Sequence, residues 1–232
     1  MTFSVFDLFT IGIGPSSSHT VGPMRAAKLF IDGLHQNGEL ENVCRIKVEL
    51  FGSLGATGGS HGSAKAIILG LLGQEPETVE ISKIDNILRK VREERRLILN
   101  NDRAIGFDER TDLRMHRINS LPFHPNGMKF SSYANSGTAL AAKIFYSIGG
   151  GFVVDENDET QNKPLKNQTH VPYPFTTGKQ LLDIVEKTGD SISSIMRHNE
   201  LTWRSKDDLE LKLKNLWKTM EHSIDRGCQS EG

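Results

Sequence analysis

Cysteine is almost missing from this 232-residue sequence: Cys44 and Cys228 are its two thiols. They are too few for a disulfide framework or a four-thiolate metal site. Long hydrophobic runs are missing too. The longest, Ala66-Ile67-Ile68-Leu69-Gly70-Leu71-Leu72, is far short of the roughly 20 residues that cross a bilayer. The first residues, Met1 to Phe9, have no basic segment and carry Asp7 inside their apolar stretch, which is unlike a secretory signal. Neither charge sign prevails. Lys and Arg number 28 against 29 Asp and Glu, for a net charge of −1, so the broad cationic field of a nucleic-acid binder is absent. Hydrophobic content of 37% and charged content of 25% are those of an ordinary globular chain. The expectation is a soluble cytoplasmic protein with neither nucleic acid nor membrane as partner.

What is present begins with a repeated theme, a glycine- and serine-rich loop followed by an apolar helix. Gly12-Ile13-Gly14-Pro15-Ser16-Ser17-Ser18-His19-Thr20 leads into Ala27, Phe30, Ile31 and Leu34, whose spacing predicts a helix with Pro23 in its first turn. Val43 to Phe51 predicts a strand. A second loop, Gly52 to Ser63, leads into a helix from about Ala64 to Leu72 that Gly73 should end. Ile84 to Leu99 predicts one amphipathic helix, with Ile87, Leu88, Val91, Leu97 and Ile98 on its apolar side and a solvated face of Arg and Glu.

From Arg103 to Asp155 the pattern favours strands, with a hairpin near Asn135-Ser136-Gly137 and an interruption at Gly149-Gly150-Gly151. Glu156 to Asn167 predicts a polar loop. Helices follow at Gly178–Lys187, Ile192–Glu200 and Ser205–Arg226, the last striped by Leu209, Leu213, Leu216, Trp217 and Met220. The fold class expected is α+β: a mixed sheet with helices packed mainly on one face over residues 1–176, then a helical extension over 177–232.

A serine-rich loop opening a helix suits an anion, because the unpaired N–H groups of the first turn point outward and the dipole favours negative charge. The plainer reading is that Ser17 or Ser18 simply caps the helix. His61 stands at the start of the next helix and, with an ordinary pKa of about 6.5, can accept a proton at neutral pH. It is also open to reading as a surface or capping residue. If both helices start at one sheet edge, the two Ser/His turns share a site. Gly58-Gly59-Ser60-His61-Gly62 fits a hydrolase elbow formally, but the strand-like residues stop near Phe51, too early to feed it. The G-x-x-x-x-G-K-[ST] loop, H-E-x-x-H and C-x-x-C are all absent, and His19, His61, His116 and His124 are scattered. Asn126 falls in a turn by composition. Trp203 and Trp217 are expected as core or interface anchors.

At these loops the sequence resembles the iron–sulfur-dependent bacterial L-serine dehydratases. The likeness is carried by Phe6-Asp7-Leu8-Phe9, Gly12 through Met24, Phe51-Gly52-Ser53-Leu54, Thr57-Gly58, Tyr146 through Glu156, Val171-Pro172-Tyr173-Pro174-Phe175, Asn199-Glu200-Leu201 and Asp225-Arg226-Gly227. It covers essentially the whole chain and matches the family's N-terminal, or β, portion. That portion is itself similar to the allosteric substrate-binding domain of some phosphoglycerate dehydrogenases.

The resemblance implies conversion of L-serine to pyruvate and ammonia, with a four-iron, four-sulfur (4Fe-4S) cluster acting as Lewis acid on the serine hydroxyl. It places the cluster's cysteine ligands in a second, helical catalytic domain outside this chain, so that this chain alone binds no cofactor and is inactive, and it implies a homodimer for the complete protein. It assigns the base to His61, the substrate carboxylate to Ser16, Ser17, Ser18 and His19, and a part in orienting substrate to Asn126. The second loop departs from the family pattern at Gly59, Ser60 and Ala64, where Lys, Gly and Asp are usual. A non-catalytic module that senses L-serine stands as the alternative.

Overall fold

The computed structural model describes residues 4–156 and 170–229, so the polar stretch expected at Glu156–Asn167 lies, after Glu156, outside the described residues. Among them the helices are α1 (Val5–Leu8), α2 (Gly22–Gln36), α3 (Gly52–Thr57), α4 (Ser63–Leu71), α5 (Ile84–Glu94), α6 (Glu109–Asp112), α7 (Gly178–Thr188), α8 (Ile192–Glu200) and α9 (Lys206–Gln229). The strands are β1 (Arg45–Leu50), β2 (Arg96–Leu99), β3 (Arg103–Gly106), β4 (Leu113–Met115), β5 (Gly127–Tyr133), β6 (Ala139–Gly149) and β7 (Phe152–Asp155). Contacts group the described residues into two compact units, 12–156 and 4–11 with 170–229.

The first unit is built on a five-stranded sheet of order β4-β1-β5-β6-β7. β1 runs parallel to β4 and antiparallel to β5, and β5, β6 and β7 continue antiparallel, so the sheet is mixed as expected. Period-2 alternation along β1 sends Ile46, Val48 and Leu50 to full burial, opposite Ser132, Phe130 and Met128 of β5. Lys47, Glu49 and Lys129, between them, stay partly exposed. The apolar face shares a core with α2 and α4, and Phe30 of α2 lies 5.4 Å from Phe130.

α2 buries Ala26, Ala27, Phe30, Ile31 and Leu34, the spacing of one helical face. α4 is different: Ala66 through Leu71 are all buried, which makes it a central helix enclosed on every side. Gly70 lets α2 and α4 touch, because a Cβ there would stand 2.2 Å from the Met24 carbonyl oxygen. Gly73, at φ +86°, ends α4 as expected.

Two local expectations are corrected. The amphipathic helix from Ile84 stops at Glu94, Arg95 turns left-handed at φ 48°, and Leu97 and Ile98 belong to β2. Asn100 and Asn101 then take positive φ and turn the chain into β3. Asparagine tolerates that conformation better than most residues, and the hairpin competes successfully with helical periodicity. Gly149, Gly150 and Gly151, all at positive φ, do more than interrupt a strand: they fold β7 back against β6. The hairpin near Asn135-Ser136-Gly137 forms between β5 and β6 as expected.

The second unit holds α1 and α7 to α9. Ser4 caps α1 and also donates to Glu200 Oε2 at 2.9 Å, while Arg204 pairs with Glu200 at 3.3 Å and stacks 4.3 Å from the Phe6 ring centroid. Asn199 exchanges two hydrogen bonds with the backbone of Tyr173. Through these bonds residues 4–11 and the segment before α7 group with the C-terminal helices, whereas the sequence reading divides the chain after residue 176. Along α9 Leu209 is buried, but Trp217 is 58% exposed and is no core anchor within the described residues.

Candidate active site

The first turn is organised by Ser16, not by Ser17 or Ser18. Its hydroxyl accepts from the His19 N–H at 3.2 Å, and its carbonyl accepts from both Thr20 and Val21. The last of these bonds skips an extra residue, so Ser17–Val21 is a π-helical turn leading into α2. Such widened turns are found disproportionately at functional sites. The second segment is not one long loop. β1 runs through Phe51 into the short α3, and a turn over residues 58–62 then enters α4. Gly52 permits this at φ +56°, where a Cβ would stand 2.2 Å from the Pro125 carbonyl oxygen.

The two turns meet. The His19 and His61 ring centroids are 5.0 Å apart, tilted by 45°. His19 Nδ1 is 2.8 Å from Ser18 Oγ and Nε2 is 3.1 Å from Ser53 Oγ in the first turn of α3. Ser16 and Ser18 hydroxyls are 3.4 Å apart. A hydrogen-bonded line runs along α3 as well: Thr57 Oγ1 donates to the Ser53 carbonyl at 2.9 Å, and His61 Nδ1 lies 2.9 Å from the Thr57 carbonyl.

A carbonyl oxygen only accepts, so the neutral His61 ring carries its hydrogen on Nδ1 and keeps a lone pair on Nε2. Ring orientation thus comes from a main-chain oxygen, with Ala64 at the position where the family usually has Asp. Burial holds the His19 pKa below its ordinary value, and the neighbouring His61 pushes the same way against the hydrogen bond to Ser53.

Asn126 is buried at the start of β5. Its side-chain amide donates to the Ser147 carbonyl at 3.0 Å and its carbonyl accepts from the Ser147 N–H. Ser147 packs in turn against Gly22, whose Cβ position would lie 2.0 Å from the Ser147 hydroxyl. Asn126 is therefore tied to the sheet end on which the π-helical turn rests. Ser17 is exposed on that turn. His116 is placed elsewhere, stacked on Phe51 and 2.8 Å from Glu49.

Sequence reasoning passed over Ser53, Thr57, Thr20 and Ser63. Thr20 and Ser63 lie one and two residues after the histidines, and that adjacency was the available signal. Ser53 needed the fold.

Among the described residues no three His, Cys, Asp or Glu side chains gather into a metal site, and no helix is long and apolar enough to cross a membrane.

The family described as "Serine dehydratase beta chain" matches residues 4–158. The chain is 45% identical over all 232 of its residues to a protein of Streptomyces coelicolor named L-serine dehydratase, covering 51% of that relative. It is 44% identical over 230 residues to L-serine dehydratase 1 of Escherichia coli and 40% identical over 230 residues to an L-serine dehydratase of Haemophilus influenzae, covering 50% of each. The chain thus spans about half the length of the curated relatives it matches. With most of its length matched by the family and its whole length aligned to such relatives, the chain belongs to the serine dehydratase beta-chain family.

Proposed function

We propose that this chain is one part of an L-serine dehydratase, converting L-serine to pyruvate and ammonia, and that it supplies the base and the carboxylate-binding turn. The observation that carries this reading is the 5.0 Å approach of His19 to His61, which brings the Ser16–His19 turn beside a histidine with a free Nε2 lone pair.

In the proposed reaction His61 Nε2 takes the α-proton of serine. Loss of that proton and the β-hydroxyl as water leaves an enamine, which tautomerises to an imine. Hydrolysis of the imine takes up one water and releases pyruvate and ammonia. Ser16, Ser17, Ser18 and the N–H groups of their turn hold the carboxylate beside His19, and Asn126 supports the turn through Ser147. A neutral His19 can donate one hydrogen bond without adding a full charge next to the base.

The 4Fe-4S cluster implied by the family resemblance does not fit the residues present. Cys44 is half-buried near Arg103, Cys228 is exposed, and no other thiol accompanies either. Its ligands are assigned to the part of the relatives that this chain does not span.

In the complete protein His61→Ala should lower kcat by about 10²–10⁴-fold, the usual contribution of a positioned base, with KM little changed. Near-normal turnover would remove His61 from the role. Titrating this chain alone with L-serine by calorimetry separates the sensing alternative: tight binding by the isolated chain favours a sensor, and weak or no binding favours a composite site.

A further inference from the structure

Two hydroxyls cross between the histidine-bearing turns in opposite directions. Thr20, next to His19, donates to the His61 carbonyl at 2.8 Å, and Ser63, two residues after His61, donates to the His19 carbonyl at 2.6 Å. Both side chains have no solvent exposure. We propose that Thr20 and Ser63 are positioning residues, a reciprocal latch that sets the distance and angle between the His19 and His61 rings. The inference rests on the reading that these two histidines serve one site.

Helix chemistry explains why hydroxyls are needed at these two places. The α-helical partner of the His19 carbonyl would be the N–H of residue 23, and Pro23 has none to give. The His61 carbonyl precedes the cap residue Gly62, so it stands outside the hydrogen-bond ladder of α4. Each turn leaves one carbonyl without a ladder donor, and the other turn supplies the donor from a buried side chain. Water has no access to either hydroxyl, so removing one takes away the donor that joins the opposite turn's carbonyl and frees that turn to move. Thr20 Oγ1 also accepts from the Ser16 N–H at 3.3 Å, which ties the cap of the serine turn into the same latch.

The test uses this chain without ligand. Thr20→Val and Ser63→Ala, together, keep side-chain size and remove both donors. With the amide spectrum still that of a folded protein, the double variant should lose the ring-to-ring nuclear Overhauser effect between His19 and His61. The His19 titration midpoint should also rise toward the ordinary value of about 6.5, since the neighbouring imidazole has moved away. Thr20→Ser, which keeps the hydroxyl, should preserve both signals. A folded double variant with both signals unchanged overturns the proposal. If the double variant does not fold, the wild-type hydroxyl protons decide: slow exchange of both supports the latch, and fast exchange of both overturns it. None of these readouts involves serine, so failure of the latch and failure of the proposed reaction are separately visible.

Discussion

His19 and His61 stand with ring centroids 5.0 Å apart although each belongs to a different turn and a different helix. Burial first, and the neighbouring His61 second, hold the His19 pKa below its ordinary value. Near pH 7 His19 is therefore neutral and places no full positive charge beside the His61 ring.

The pH dependence of stability follows. Unfolded, His19 titrates at its ordinary 6.5; folded, it titrates lower. Between those values the unfolded chain binds more protons, so stability rises with pH. The contribution is complete above pH 6.5 and is lost as pH falls through the folded value. Urea midpoints measured from about pH 7.5 down to about pH 5.5 should fall for the wild type and fall less for His19→Gln. Equal slopes in the two proteins would contradict the assignment.

Gly70→Ala tests the α2–α4 contact. Alanine is about 1 kcal/mol better than glycine in a helix, yet the new Cβ would stand 2.2 Å from the Met24 carbonyl oxygen and 2.7 Å from the Ala27 Cβ. Overpacking costs about 1–3 kcal/mol, so a net loss of stability is expected in equilibrium unfolding. Because both helices begin at the site, the His19 and His61 imidazole resonances should shift as well.

Glu200→Ala tests the second unit. Glu200 is 1% exposed, accepts from Ser4 Oγ and the Val5 N–H, and pairs with Arg204. Its removal leaves a guanidinium and two donors without their acceptor, a change that typically costs about 3–5 kcal/mol in buried pairs. Chemical denaturation should show a loss of that order, with faster proteolysis near the N-terminus.

For the cross-turn hydrogen bonds, each single variant should give an intermediate result. Thr20→Val frees the His61 carbonyl and Ser63→Ala frees the His19 carbonyl, so each should weaken the ring-to-ring Overhauser effect partway. A double-mutant cycle on the His19 midpoint should show the two changes to be non-additive, as expected of contacts in one network. Strict additivity would mean that the two hydrogen bonds act independently.

Local rules carried most elements. The i, i+3, i+4, i+7 pattern from Ala27 to Leu34, the glycine after Leu72 and the turn residues at Asn135-Ser136-Gly137 each state their structure within a few residues. The reading failed where two local signals competed. Ile87 to Ile98 keeps a helical stripe past Arg95, but the asparagine pair at 100 and 101 makes a hairpin, and β2 needed β3 as partner before that outcome could be favoured. Gly52 to Ser63 is rich in glycine and reads as a loop, yet packing against residues 116–125 lets Gly52–Thr57 close a helix.

Composition and motif spacing alone determined an α+β chain, its absence of long apolar segments, and two Ser/His turns opening helices, because these depend on neighbours along the backbone. The tertiary structure decided that the turns meet, that Ser53 and the Thr57 carbonyl orient the two imidazoles, and that Thr20 and Ser63 bridge them. Those relations are distances between groups far apart in sequence, and only the packing of α2 against α4 over the sheet sets them.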